Sequence, residues 1–131
     1  MVLEIEQEKP LDTSSRLEGF YKKSVPERQA ILRDRYNLTE KEVETIQSGG
    51  LGIDLANRLI ENVVGLYGLP FGIAANFQIN HQGDLNGGRD YLIPMVIEEP
   101  SVVAASSHAA KLVRDAGGFT ASADAPTMIG Q

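Results

Sequence analysis

The chain has 131 residues, with 18 acidic and 12 basic side chains, a formal net charge of −6 and no cysteine. That length suits one domain of ordinary size around one core. The missing thiols exclude a disulfide framework, thiolate chemistry and zinc–cysteine sites, and the dispersed acidic excess argues against a surface that tracks nucleic-acid phosphates.

Met1-Val2-Leu3-Glu4-Ile5-Glu6 lacks the basic start and long apolar core of a signal peptide. No stretch approaches the ~18 apolar residues of a membrane helix, so a cytoplasmic protein without membrane contact is expected. Residues 1–14, with Pro10 and Asp12-Thr13-Ser14, show no periodicity and read as a flexible arm. Ser24-Val25-Pro26-Glu27 places a serine cap, a proline in the first turn and a glutamate three residues on, and predicts a helix through about Tyr36. Thr39-Glu40-Lys41-Glu42 repeats the pattern, and Gly49-Gly50 closes that second helix.

Leu55, Ala56, Leu59, Ile60, Val63 and Val64 recur at helical spacing and predict a third helix from about Ile53 to Leu66. Ile73 to Ile79 and Tyr91 to Ile97 read as two strands of a hairpin, joined by a long, mobile, glycine-rich loop from His81 to Gly88. Tyr91 to Ile97 is almost wholly apolar and is expected to be buried. A fourth helix, rich in Ala, Ser and Val, runs from about Pro100 to Ala116, with Gly117-Gly118 past its end. The end, Ala121 to Gln131, mixes small, apolar and polar residues and reads like a chain cut in mid-domain.

Glu98-Glu99 stands where the apolar strand meets this helix. A carboxylate caught between two buried elements has its ionised form disfavoured, which suits it to passing protons near neutral pH. Acids before a helix also complement its dipole, for about 0.3–1 kcal/mol each. Adjacent residues leaving a strand point to opposite faces, so one of the two at most is expected in a buried site, and spacing does not choose which. Glu61-Asn62 similarly reads either as a solvated helix end or as a polar pair at a subunit contact. Gly83, Gly87 and Gly88 lack the strand-to-helix order of a nucleotide-binding loop. His81 and His108 lack partners at ligand spacing, and no nucleophile-elbow frame surrounds Ser101, Ser106, Ser107 or Ser122. No metal site is expected.

Four segments in order resemble hydroxymethylglutaryl-CoA reductases of the bacterial class II, degradative type. They are Glu61-Asn62-Val63-Val64-Gly65, then Leu69-Pro70 with Gly72-Ile73-Ala74-Ala75-Asn76-Phe77, then Pro94 through Ala105, and Gly117-Gly118-Phe119-Thr120. Ser15-Arg16-Leu17 and Phe20 extend the resemblance upstream. It implies an α+β fold belonging to the N-terminal portion of that family: a helical region over 15–68 and the start of the large substrate-binding domain over 69–131.

The family's catalytic glutamate directly precedes the proline, which selects Glu99, and Ser101 matches a position that binds the hydroxymethylglutaryl group. Glu61, Asn62, Val63, Val64 and Gly65 match a dimer contact. A basic residue after the N-terminal phenylalanine is associated with CoA; here Tyr21 stands there, and Lys22 is the implied contact. The implied reaction interconverts hydroxymethylglutaryl-CoA with mevalonate and CoA, using NADH or NADPH, in a homodimer or higher oligomer. The family's lysine, aspartate, late histidine and nicotinamide-binding domain have no counterpart up to Gln131, so the chain alone is expected to be inactive. The competing expectation is a non-catalytic module that dimerises through the Leu55 to Val64 stripe.

Overall fold

A computed structural model describes residues 14–81 and 87–122. The expected arm before Ser14, positions 82–86 of the expected hairpin loop, and the end from residue 123 lie outside the described residues. A single 3-10 turn, Phe20–Lys22, precedes α1 (Val25–Tyr36), α2 (Glu40–Ser48), α3 (Ile53–Leu59), β1 (Phe71–His81), β2 (Arg89–Val96), α4 (Val102–Asp115) and β3 (Phe119–Ala121). The chain divides into two units: Gly19–Tyr67, and Ser14–Glu18 together with the residues from Gly68 onward.

In the first unit both predicted caps close. Glu27 Oε2 accepts the Ser24 N–H and hydroxyl, each at 2.7 Å, which satisfies an exposed donor at the start of α1. At α2, Glu42 Oε2 accepts the Thr39 N–H and hydroxyl at 2.8 Å, and Thr39 Oγ1 accepts the Glu42 N–H at 3.3 Å. These bonds stabilise the ionised carboxylates and hold Glu27 and Glu42 below the ordinary glutamate range. Leu32 of α1 and Ala56 of α3 are buried here.

The third helix is shorter than its pattern predicts. It stops at Leu59, and Ile60 is already extended at φ −139°. Asn62 then turns the chain at φ 56°. Of the expected stripe, Ala56 is buried, whereas Leu55, Leu59, Ile60 and Val64 are exposed. A short helix draws its stability from the surface its apolar face covers, and this face covers little.

In the second unit, β1 lies at the centre of a three-stranded sheet of order β2-β1-β3. β2 pairs antiparallel from Phe71↔Val96 to Ile79↔Arg89, and β3 pairs parallel through Ile79↔Phe119, Asn80↔Thr120 and His81↔Ala121. α4 crosses over β1 to link the outer strands. β3 has no signature in the sequence, because three residues carry no readable alternation; tertiary pairing makes it a strand, with Phe119 stacked on Phe77 at 5.4 Å.

The expected burial of Tyr91 to Ile97 is also corrected. β2 is an edge strand, Pro94 and Val96 on it are exposed, and none of its residues is fully buried. Pro94, which has no N–H to donate, is tolerated at such an edge. Ala74, Ala75, Ala110 and Ser15 are the buried residues of this unit among those described.

α4 ends as Gly117-Gly118 predicts. Gly118 N–H reaches Val113 O at 2.9 Å and Gly117 N–H reaches Arg114 O at 3.0 Å, satisfying carbonyls of the last turn. Gly118 has φ +85°, and a Cβ on it would lie 2.9 Å from Gln78 O, so glycine is required for both conformation and space.

Candidate active site

The candidate site is the turn from β2 into α4. Ile97 N–H donates to Pro70 O at 3.2 Å, the last backbone tie before the chain leaves the sheet. Glu98, Glu99 and Pro100 form the turn. Ser101 is the N-cap of α4, and its carbonyl accepts the Ala105 N–H at 2.8 Å. Ser101 stands at φ 71°, ψ −11°, a left-handed conformation that disfavours a residue bearing Cβ by about 1–2 kcal/mol. Its side chain makes no capping bond, although serine is a preferred cap.

A depression of about 300 Å³ opens at this turn between Pro70–Gly72 on one side and Ile97–Pro100 with Val103 on the other. The close approach of β1 to α4 depends on Gly72, where a Cβ would come within 3.2 Å of Val103 Cγ2. Both Glu98 and Glu99 line the depression and both are exposed. The expected dry setting is therefore absent from the described residues. The face rule also fails here: the two acids lie past the end of β2, in a turn where strand alternation no longer applies.

The remaining expected site residues belong to the first unit. Lys22 ends the 3-10 turn, exposed, with Nζ 5.6 Å from the centroid of the Tyr21 ring. Glu61 to Gly65 follow α3 outside any helix, exposed except for half-buried Val63. Asn62 is left-handed, a conformation asparagine tolerates better than most residues, which gives it a local structural reason to be there.

Sequence reasoning missed a polar frame that ties α4 and Ser15 to the sheet. β1 carries a bulge between Ala74 and Phe77, with Asn76 at φ 70°. The bulge turns two N–H groups away from β2: Ala75 N–H donates to Ser107 Oγ at 3.0 Å, and Asn76 N–H donates to Ser15 O at 2.9 Å. Asn76 Nδ2 also donates to Ser107 O at 3.1 Å.

Ser15, with no exposed surface, donates its N–H to Asp90 Oδ2 at 2.8 Å and its hydroxyl to Phe77 O at 2.8 Å. Arg114 donates to Asp90 at 2.9 Å and to Ser15 Oγ at 3.2 Å. Burial pushes the Asp90 carboxyl up, but the Arg114 bond and charge together with the Ser15 bonds outweigh it and hold the group below the ordinary range. The one sequence signal was Asn76, a residue disfavoured inside a strand. The Ser15–Arg114 bond spans 99 positions and left no local trace.

The described residues do not fit a nicotinamide dinucleotide. Gly87 and Gly88 lead into β2 of a hairpin, and a Cβ on Gly88 would overlap Asn80, so no phosphate cradle is open there. The strand-to-helix turn between β2 and α4 presents two carboxylates, which repel a pyrophosphate. His81 Nε2 lies 3.0 Å from Tyr91 Oη, and His108 is exposed on α4. Among the described residues no group of three or more His, Asp or Glu side chains is placed to hold a metal ion, and no helix is long and apolar enough to cross a membrane.

This architecture matches part of one class of reductase. A structure of the class II 3-hydroxy-3-methylglutaryl-CoA reductase from Streptococcus pneumoniae, bound to NADPH in open conformations, matches with a TM-score of 0.67 and 38% sequence identity, covering 79% of this chain and 26% of that one. A second structure of the Streptococcus pneumoniae enzyme matches with the same TM-score and identity, over 23% of its chain. The 3-hydroxy-3-methylglutaryl-coenzyme A reductase of Archaeoglobus fulgidus is 52% identical over 118 residues, which is 90% of this chain and 26% of that protein.

The profile of the hydroxymethylglutaryl-coenzyme A reductase family matches residues 24–131, and the chain belongs to that family. It spans 26% of the length of the Archaeoglobus fulgidus relative.

Proposed function

We propose that this chain is a part of a hydroxymethylglutaryl-CoA reductase, contributing Glu99 and Ser101 to the site that interconverts hydroxymethylglutaryl-CoA with mevalonate and CoA. The observation that carries the reading is Ser101. It is held left-handed at a helix start, makes no capping bond, and sits two residues from Glu99 beside an open depression. Backbone strain of this kind persists where the surroundings enforce it, and it clusters at working sites.

In this reading Glu99, when protonated, donates a hydrogen bond to the substrate carbonyl oxygen and supplies a proton as that oxygen becomes an alcohol. Ser101 binds the hydroxymethylglutaryl group. The hydride donor, NADH or NADPH, is bound by residues other than those described. Lys22 is proposed as a CoA contact, and Glu61 to Gly65 as part of a homodimer surface. Further protein over the depression would shield Glu99 from water and provide the low-dielectric setting that its exposure here does not.

The test compares Glu99→Gln with Glu98→Gln in the complete protein, following NAD(P)H oxidation that depends on hydroxymethylglutaryl-CoA. Loss of a general acid lowers turnover by about 10²–10⁴-fold, and that loss is expected for Glu99→Gln, with less than about tenfold for Glu98→Gln. Equal effects would overturn the assignment of Glu99.

A second reading, a non-catalytic dimerising module, is favoured by one observation: Leu59, Ile60 and Val64 are 65%, 65% and 102% exposed in the first unit. Self-association of the complete protein without calorimetric binding of hydroxymethylglutaryl-CoA would select it.

A further inference from the structure

We infer that Ser107 and Asn76 are positioning residues that set the register of α4 on the β1 bulge and thereby place the Glu99–Ser101 turn. The inference rests on the reading of that turn as the site. Its structural part concerns this chain alone.

Ser107 is bonded to the bulge at both ends of the residue. Its hydroxyl accepts the Ala75 N–H at 3.0 Å while donating to Val103 O at 2.9 Å, and its carbonyl accepts Asn76 Nδ2 at 3.1 Å. Val103, tied through that hydroxyl, is the residue whose side chain meets the backbone of β1 at Gly72 and lines the depression. From there the helix continues through Val102 to its cap at Ser101, about 9 Å along the axis from Ser107.

The rest of the contact between α4 and β1 includes small apolar side chains such as Ala74 and Ala110. Close packing of that kind opposes sliding only through the shapes of small side chains, which offer shallow ridges. Bonds at two ends of one residue have direction, and they oppose both translation and rotation. A slip of one helical residue moves the cap by about 1.5 Å and turns it by about 100°. Misplacement of reacting groups by about 1 Å costs on the order of 10²-fold in rate.

The bulge also makes the lock specific. Ala75 N–H is available to Ser107 because the β1–β2 register shifts between Ala74 and Phe77. Asn76 accepts the positive φ that the shift demands and uses its amide to complete the second bond.

Amide hydrogen exchange on the complete protein tests the coupling. In Ser107→Ala, and in Asn76→Gly, which keeps the positive φ but removes the amide, exchange at Ala105 N–H and Ile97 N–H is expected to quicken at least tenfold. Gly118 N–H, at the far end of α4, is expected to change less than threefold, and Ser107→Thr is expected to stay within threefold of the parent throughout. In the complete protein, Ser107→Ala is expected to lower kcat about tenfold and to raise KM for hydroxymethylglutaryl-CoA about threefold, with recovery in Ser107→Thr. A smaller folded fraction alone would leave KM unmoved.

Unchanged exchange at Ala105 and Ile97, or equal quickening along the whole of α4, would overturn the inference. If Glu99→Gln leaves turnover intact, the reading of the site fails, while exchange still decides whether Ser107 and Asn76 hold the turn.

Discussion

At the scale of single residues, the turn is strained, while Ser15, Asp90 and Arg114 hold one another through hydrogen bonds. Ser101 carries a left-handed φ of 71° that glycine would adopt freely. Ser101→Gly relieves that strain but adds freedom to the unfolded chain, and the two effects nearly cancel. Its unfolding free energy is expected to stay within about 0.5 kcal/mol of the parent in urea titration, where a glycine inside a helix costs about 1 kcal/mol.

Arg114 and Asp90 pair with side-chain exposures of 12% and 13%. Arg114→Met leaves the carboxylate and the Ser15 hydroxyl short of a partner and is expected to destabilise the chain by about 2 kcal/mol, less than the ~3–5 kcal/mol of a fully buried pair. The same pair sets a pH dependence. Because the folded state holds the Asp90 carboxyl below its ordinary value of about 3.9, its stabilising contribution is complete above about pH 4 and is lost as the pH falls through the lower folded value. Thermal melts from pH 6 to pH 2 should show that acid loss in the parent and a flatter profile in Asp90→Asn.

At the scale of elements, local signals were legible wherever a local bond decides the outcome. α1 and α2 begin at the serine and threonine caps, because each box satisfies its donors within four residues of sequence. Thr39→Ala is expected to cost about 1 kcal/mol, read as a lowered denaturant midpoint with an unchanged slope. The fourth helix and its glycine end were equally legible. α3 was not, because an apolar stripe states only that a helix could bury a face, and Leu55 and Leu59 find little to bury against. The bulge at Asn76 and the strand at Phe119–Ala121 escaped for the same reason: each exists through partners distant in sequence.

At the scale of the whole molecule, the length suits one domain, and the structure divides into two compact units. The buried apolar side chains among the described residues are one leucine and four alanines. Alanine buries little area, so little hydrophobic stabilisation comes from inside either unit. Leu59, Ile60, Val64 and Tyr67 meanwhile stay open in the first unit, leaving large apolar side chains available for the proposed subunit contact. Sedimentation of the chain is therefore expected to show a dimer or larger species, and Ile60→Glu with Val64→Glu is expected to shift it toward monomer. A monomer at every concentration would contradict the proposed contact.

By itself the sequence determined the capped helices, the hairpin, the small-residue helix and the family, because these depend on neighbouring residues and on ordered motifs that any reader of the chain can align. It pointed to Glu99 through resemblance, without the geometry to distinguish it from Glu98. The tertiary structure decided what depends on distant partners. It put β2 at an edge, left both carboxylates exposed, held Ser101 in a left-handed turn, and assembled Ser15, Asn76, Asp90, Ser107 and Arg114 into one frame. Hydrogen bonds between residues up to 99 positions apart form only after the chain has folded, and no local pattern of residue types encodes them.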